Sequence, residues 1–469
     1  MAKNERETDL CRQDIAELAE ELAAYQAIYE PYFKRKEQVK QAKGYLEGLM
    51  QTLPNKSIER IVLHNQGDDG NAIRAMQHFM SAGAWDDEAI LSRHRQEVAQ
   101  EIGSSEGVLI VDDSGFPKQG DASVGVKRQW CGQLGKVANC QVGVFVGYAS
   151  QAGYTLLDRR LYLPEDWVTD EAYAERREKC GVPAAIDFQT KPELAAEMIQ
   201  SIAAEGYLAF KWLTCDAAFG RDGDFLDRVG QLVTYFAEIP RDTEAWLERP
   251  KTAVPDWSGK GRKPTQPHLL TGQPAAQSVL QIAADLNPDQ WSRQTIKQGS
   301  KGPLVADFAA LRIINVRQGL PGDQVWLILR RNPLTHEIKF YLSNAPDETP
   351  LSDFVRISGL RWPIETGFEN SKQELGMGDY QLRGWLGWHH HMTLVILAHF
   401  FLLKSQRHLQ NNVPKLTLPQ AILLLKAVLP QPKFDLNNTI QIVDYFQRRH
   451  DKAFLSHRKR RLALLNQLE

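Results

Sequence analysis

Two short apolar runs in this chain end in aspartate. Val108-Leu109-Ile110-Val111 leads into Asp112-Asp113-Ser114-Gly115, and Trp212-Leu213-Thr214-Cys215 leads into Asp216. Runs of that length without polar alternation read as strands buried on both faces. A carboxylate at the carboxyl end of such a strand is held rigidly, shielded on one side and open on the other. That environment suits a divalent cation, which needs oxygen ligands and room for water and a phosphate. The competing reading is that each aspartate caps the turn that follows, and the pattern alone does not choose between them. Neighbours on a strand face opposite ways, so Asp112 and Asp113 cannot both serve one site unless the strand has ended there. A third acid is expected from Arg361-Trp362-Pro363-Ile364-Glu365. Pro363 suits the first helical position, which puts Glu365 in the first turn, at the positive end of the helix dipole. Lys372 follows seven residues later on the same face. Taken alone, that stretch is an ordinary amphipathic helix.

The surroundings are those of a mixed sheet. Residues 1 to about 100 carry helical spacing, with Ile15, Leu18, Leu22 and Tyr25 in phase and breaks at Pro54-Asn55 and Gly67-Asp68-Asp69-Gly70. From Gly107 onward the reading is three strands (Val108–Val111, Gln141–Ala149, Tyr154–Leu163), a helix (Pro192–Ala204), a strand (Tyr207–Thr214), a helix, and a strand (Leu232–Ala237). Residues 240–350 are β-rich, with a Pro-, Gly- and Lys-rich loop at Pro250–Pro267 and strands at Ala306–Val316, Gln324–Arg330 and Glu337–Leu342. Helix returns at Pro363. The expected class is therefore α/β. The expected division is 1–103, a helical DNA-binding domain; 104–240, the first part of the α/β core; 241–350, a β-rich insertion; 351–403, the last core helices; and 404–469, a helical basic region.

Bulk properties narrow the class. A chain of 469 residues accommodates several domains, and 43% hydrophobic with 24% charged content is that of a globular protein. The longest apolar candidate, Met392–Leu403, is too short to span a bilayer, and Met1–Asp9 lacks an apolar signal core. The expectation is a cytoplasmic protein with no membrane partner. The five cysteines form no Cys-x-x-Cys pair, which argues against a zinc ribbon or a disulfide framework. Net charge is −2, so no global field draws the chain to nucleic acid. Local basic clusters do occur at Lys34–Lys43, Lys260-Gly261-Arg262-Lys263 and Arg448–Arg461. Cys131–Lys136 lacks the spacing of a phosphate loop, and no Gly-x-Ser-x-Gly is present. His389-His390-His391 point in different directions on a helix and are read as polar residues facing solvent or DNA.

Together these residues resemble the DDE transposases of bacterial insertion sequences, in particular the branch with a Tyr-x₂-Arg-x₃-Glu-x₆-Lys signature. Arg361, Glu365 and Lys372 fall on that spacing, and Asp112-Asp113-Ser114-Gly115-Phe116-Pro117-Lys118 resembles the block around the first aspartate. Gln129-Trp130-Cys131-Gly132, Arg160-Leu161-Tyr162-Leu163-Pro164, Lys191-Pro192-Glu193-Leu194 and Asp216-Ala217-Ala218-Phe219-Gly220 continue the likeness, which spans roughly residues 40–400. The family's Asp-x-Ser/Thr habit points to Asp112 as first acid, with Asp113 as fallback. The resemblance implies a ribonuclease-H-like core with a β-rich insertion between Asp216 and Glu365. It implies catalysis by Asp112, Asp216 and Glu365 through two Mg²⁺ (or Mn²⁺) ions, roughly 3.5–4 Å apart in such sites. Ser358, Arg361, Lys372, Lys260, Arg262 and Lys263 are the implied DNA contacts. Ser358 stands where the signature has tyrosine and offers the same hydrogen bond with less reach. Implied partners are double-stranded DNA, as element ends and as target, and a second copy of the chain in a homodimer on paired ends. Relatives often flip a base onto an aromatic residue, and Trp246 and Trp257 are the candidates in the insertion. The alternatives are a domesticated DNA-binding protein or repressor, and a nuclease on the same core without strand transfer.

Overall fold

The computed structural model describes residues 10–257, 262, 264–299, 302–360, 362–411, 413, 416–429, 431 and 436–466. Five helices come first: α1 (Arg12–Tyr29), α2 (Lys36–Met50), α3 (Ile58–Gln66), α4 (Gly70–Ala82) and α5 (Asp87–Ile102). Leu18, Leu22, Tyr25 and Tyr29 form the buried stripe of α1, the phase expected of an amphipathic helix. Ser57, Asp69 and Asp86 start α3, α4 and α5 by accepting hydrogen bonds from otherwise orphaned backbone N–H groups.

The sheet follows. Strands β1 (Val108–Pro117), β2 (Lys127–Cys131), β3 (Lys136–Ser150) and β4 (Gly153–Tyr162) precede helices α6 (Glu165–Thr169), α7 (Ala174–Lys179) and α8 (Lys191–Glu205). Then come β5 (Trp212–Cys215), α9 (Ala217–Gly220), α10 (Gly223–Gly230) and β6 (Thr234–Ile239). Beyond them lie β7 (Glu244–Trp246), β8 (Thr252–Ala253), β9 (His268–Leu269), β10 (Gln277–Ser278), α11 (Val279–Ala284), β11 (Ser292–Gly299), β12 (Gly302–Arg317), β13 (Leu320–Arg331) and β14 (Ile338–Ser343). The central strands run in the order β4-β3-β1-β5-β6. β3 is antiparallel to both β1 and β4, while β5 and β6 are parallel to β1. This is a ribonuclease-H-like core. Its β6 edge is not left open: β14 pairs with β6, and β13, β12, β7 and β10 extend the same sheet, with β11 on β12. The insertion thereby covers an edge that would otherwise present unpaired backbone groups.

One boundary differs from the sequence reading. β1 does not stop at Asp112-Asp113, because Ser114 to Pro117 keep pairing with Gly143 to Cys140 of β3. It is β5, one strand over, that ends at this level.

The C-terminal helices are α12 (Leu351–Ser358), α13 (Trp362–Glu374), α14 (Trp385–His408), α15 (Leu418–Leu425) and α16 (Leu436–Leu465). Helix α14 has 24 residues and is, among the described residues, the one helix long and apolar enough to cross a membrane by length and composition. In the fold it is buried almost throughout, against β4 and α2, α4, α5 and α15. This corrects the reading of His389, His390 and His391 as facing solvent or DNA. All three are buried, because a helix enclosed on every side has no outer face. Each is bonded to a carbonyl oxygen, of Trp385 at 2.9 Å, Met80 at 3.0 Å and Met377 at 3.3 Å.

Candidate active site

Register brings the two aspartates together. Val111 of β1 pairs with Cys215 of the parallel strand β5, so Asp112 and Asp216 are the next residues on adjacent strands, about 4.8 Å apart in backbone spacing. Register partners on parallel strands face the same side. Asp216 keeps an extended backbone (φ −80°, ψ 178°) before the chain turns into α9, so it faces as Asp112 does. Its Oδ1 accepts from the N–H of Ala218 at 3.0 Å and of Phe219 at 3.4 Å. The capping role considered from sequence is therefore real, and it also fixes the carboxylate. Oδ1 of Asp112 accepts from the backbone N–H of Asp113 at 2.8 Å.

Helix α13 covers this face. Ile364 lies against Ile110 and Gly147 around a small cavity, where Gly147 leaves room that a side chain would fill. Phe145, the cross-strand partner of Asp112, packs edge-on against Phe368 with ring centroids 5.1 Å apart. Directly opposed residues on antiparallel strands share a face, so Phe368 sits over the Asp112 side. Glu365 is one helical turn before Phe368 and is exposed, at the rim of the stripe formed by Ile364, Phe368, Ser371 and Leu375. Farther along the helix, the half-buried Lys372 donates to the carbonyl of Gly115 at 3.2 Å and to Gln133 Oε1 at 3.3 Å. Its ammonium lies 5.2 Å from the Phe116 ring centre. Burial pulls the Lys372 pKa below the usual lysine range, while Cys131, Asp112 and Asp113 pull it back up.

Asp113 points the other way. Its Oδ2 accepts from Lys191, the first residue of α8, at 2.6 Å. Among the described residues, no group of three or more His, Cys, Asp or Glu side chains is gathered to hold a metal ion. What the fold assembles is the Asp112–Asp216 pair, with Glu365 on the helix above. Carboxylate oxygens alone, on neighbouring central strands of a sheet, form the donor set of a hard divalent cation, so the residue types fit one.

Ser358 is buried at the end of α12, with its hydroxyl donating to the carbonyl of Val355 at 2.7 Å. The hydroxyl expected at DNA is thus turned inward. Arg361, Lys260 and Lys263 lie outside the described residues, and Arg262 is exposed. Trp246 is packed, its indole N–H donating to the carbonyl of Pro274 at 3.0 Å, whereas Trp257 is exposed on a loop. Sequence reasoning did not single out Lys191 or Gln133, although both stand in stretches with family likeness or beside them. Their signal is contact with Asp113 and Lys372, which no spacing rule carries.

Residues 29–303 match the family described as DDE superfamily endonuclease. That span contains Asp112, Asp113 and Asp216 and stops short of Glu365. The chain is 26% identical over 313 residues to a probable transposase for insertion sequence element IS701 from Microchaete diplosiphon, covering 66% of this chain and 68% of that one. Among solved structures it is similar to the piggyBac transposase synaptic complex with hairpin DNA, at a TM-score of 0.38 and 10% identity, over 92% of this chain and 82% of that one.

Proposed function

The chain belongs to the DDE superfamily endonucleases, and from that membership we propose that it is a DNA transposase that cuts at the ends of an element and joins the freed 3′ hydroxyl to target DNA. The observation that carries this reading is the pair of aspartates, Asp112 and Asp216, side by side on adjacent parallel strands of a ribonuclease-H-like sheet. The name of the relative that it resembles over two thirds of its length points the same way.

In this reading Asp112, Asp216 and Glu365 hold Mg²⁺ or Mn²⁺. When bound, such a pair of ions supplies an activated oxygen nucleophile and stabilises the leaving 3′ oxygen. The protein's own contribution is placement. The N–H groups of Ala218 and Phe219 fix Asp216, the Asp113 N–H fixes Asp112, and the Phe145–Phe368 contact sets the height of Glu365 above them. Asp112 rather than Asp113 is the first acid, because the Asp113 carboxylate is engaged by Lys191 on the opposite face. Lys372 is the phosphate contact. The partner is double-stranded DNA, bound by two copies of the chain that pair two ends. The exposed basic stretch of α16, with Lys452 and Arg458 to Arg461, adds phosphate contacts.

The test uses purified protein, DNA carrying the repeats that flank its gene, and Mg²⁺. Cleavage together with joined products is expected. Asp216→Asn keeps the helix cap, since Asn caps as well as Asp, so it should shift the DNA in a gel yet cut at least about 10²-fold more slowly, the cost of small misplacement at such a site. Wild-type cleavage by that variant would end the assignment, and cleavage without joining would leave a nuclease.

A further inference from the structure

Strand β2 buries one edge of its side chains and exposes the other. Gln129 donates to the carbonyl of Cys140 at 2.9 Å and Cys131 is fully buried, while Arg128 and Trp130 point outward. Trp130 is 59% exposed, and its register partner on β3, Val137, is 53% exposed. Leu134, in the turn between them, is also exposed. This is an aromatic–aliphatic cross-strand pair of the kind that normally stabilises a sheet from inside, here facing solvent.

Its location and charge suggest what covers it. The turn touches the candidate active site directly, through the Gln133–Lys372 hydrogen bond at 3.3 Å. Cys131 sits against Gly115 of β1, just past the aspartates. From Ala122 to Leu157 the chain has no acidic residue, and Arg128 and Lys136 lie on the hairpin beside Lys127, which is paired with Asp166. A ribbon that is apolar at its centre, basic at its flanks and beside a phosphodiester-cutting site matches a nucleic acid in which an apolar base face lies between two lines of phosphate.

We propose that the β2–β3 hairpin caps the DNA end at the cut: Trp130 stacks on the base pair that cleavage uncovers, Val137 and Leu134 shield its far edge, and Arg128 and Lys136 meet the flanking phosphates. This rests on the transposase reading and adds to it a recognition element for a broken end as opposed to intact duplex.

The test compares two short duplexes that carry the same flanking repeat with 2-aminopurine at its terminal base pair. In one the repeat ends at a blunt terminus; in the other it continues into flanking sequence. Wild-type protein should bind the open end about tenfold more tightly, within the range that base–aromatic stacking supplies, and should change the 2-aminopurine fluorescence there. Trp130→Ala should lose both the preference and the fluorescence change while binding the continuous duplex as before. Trp130→Phe should retain most of each. If Trp130→Ala keeps both, the cap is wrong. It is equally wrong if that variant instead converts a dimer to a monomer in sedimentation, because the hairpin would then be covered by a second copy. Failure of wild-type protein to cut any flanking DNA would be a different result: it removes the transposase reading itself.

Discussion

Two charged clusters lie on the same sheet and obey opposite rules. In the first, Arg159 of β4 is fully buried and meets Glu88 at 2.8 Å, Asp158 at 3.4 Å and also Asp87. Beside it Arg95 clamps Glu205 at 2.6 Å through both Nε and Nη2. Two strands away in the same cross-strand row, since Arg159 pairs with Phe145 and Phe145 with Asp112, Asp112 lies beside Asp216 of the neighbouring strand, with Glu365 and Lys372 on helix α13. The buried cluster joins α5, β4 and α8, so it ties the N-terminal helices to the core. Its arginines are held charged: burial opposes the charge, but the surrounding carboxylates outweigh it and raise both pKa values. The second region sets Asp112 and Asp216 one residue past a paired position on neighbouring parallel strands. Charges are thus matched inside the fold in the first cluster, whereas in the second two acids are set side by side, the placement that the proposed chemistry requires.

The largest effect is expected on removal of Arg159. Deleting one partner of a buried ion-pair cluster leaves unpaired charge inside the protein and costs roughly 3–5 kcal/mol. Arg159→Ala should lower the urea midpoint by a matching amount or prevent folding. Asp216→Asn, in the second region, should stay within about 0.5 kcal/mol of wild type. An unchanged midpoint for Arg159→Ala would mean that the buried cluster is not structural.

Acidification separates the two regions more gently. His94, His390 and His391 are buried and held neutral, with pKa values pushed down to about 3 by burial, and His399 to about 4. Arg159 also weighs against protonation of His390 and His389. In the unfolded chain each histidine takes a proton near pH 6.5, whereas the folded chain resists until much lower pH. Stability is thus full above pH 6.5 and falls as pH drops from there toward 3–4, by on the order of 1 kcal/mol per histidine per pH unit. Urea midpoints measured from pH 7.5 to 5 should fall steeply below 6.5. A flat profile would show that these imidazoles protonate without opening the fold.

The two regions were also unequally legible in sequence. The aspartates of the second region announce themselves because each ends an apolar run, and parallel pairing of two such runs brings their ends together. The strands of the insertion are legible as apolar runs at Ala306–Val316 and Gln324–Arg330, inside β12 and β13. Its continuity with the core does not show, because it depends on β14 meeting β6 across about a hundred residues of chain, as at Phe340 and Ile239. Nor does the interior of α14 show. Three consecutive histidines look polar, and only enclosure by helices far away in sequence buries them. The Phe145–Phe368 contact that sets the height of Glu365 has the same character: it is long-range packing, not spacing.

The smallest expected effect probes the second region itself. Lys372 is half-buried, hydrogen-bonded to Gly115 and Gln133, and close enough to Asp112 and Asp113 for their charge to act on it. Two roles follow from that position. If it only balances the aspartates, its loss leaves DNA binding alone. If it meets the scissile phosphate, its loss removes one ion contact from the complex. Each neutralised phosphate contributes about 0.9 to the slope of log affinity against log salt on duplex DNA. Lys372→Ala should therefore bind element ends several-fold more weakly at low salt and reduce that slope by about one. Arginine at the same place should restore the slope, because it also carries a full charge. Binding isotherms for wild type, Lys372→Ala and Lys372→Arg over a range of salt concentrations measure this directly. A Lys372→Ala slope equal to that of wild type would assign this lysine to balancing the charge of Asp112 and Asp113, the role that Arg159 has in the buried cluster.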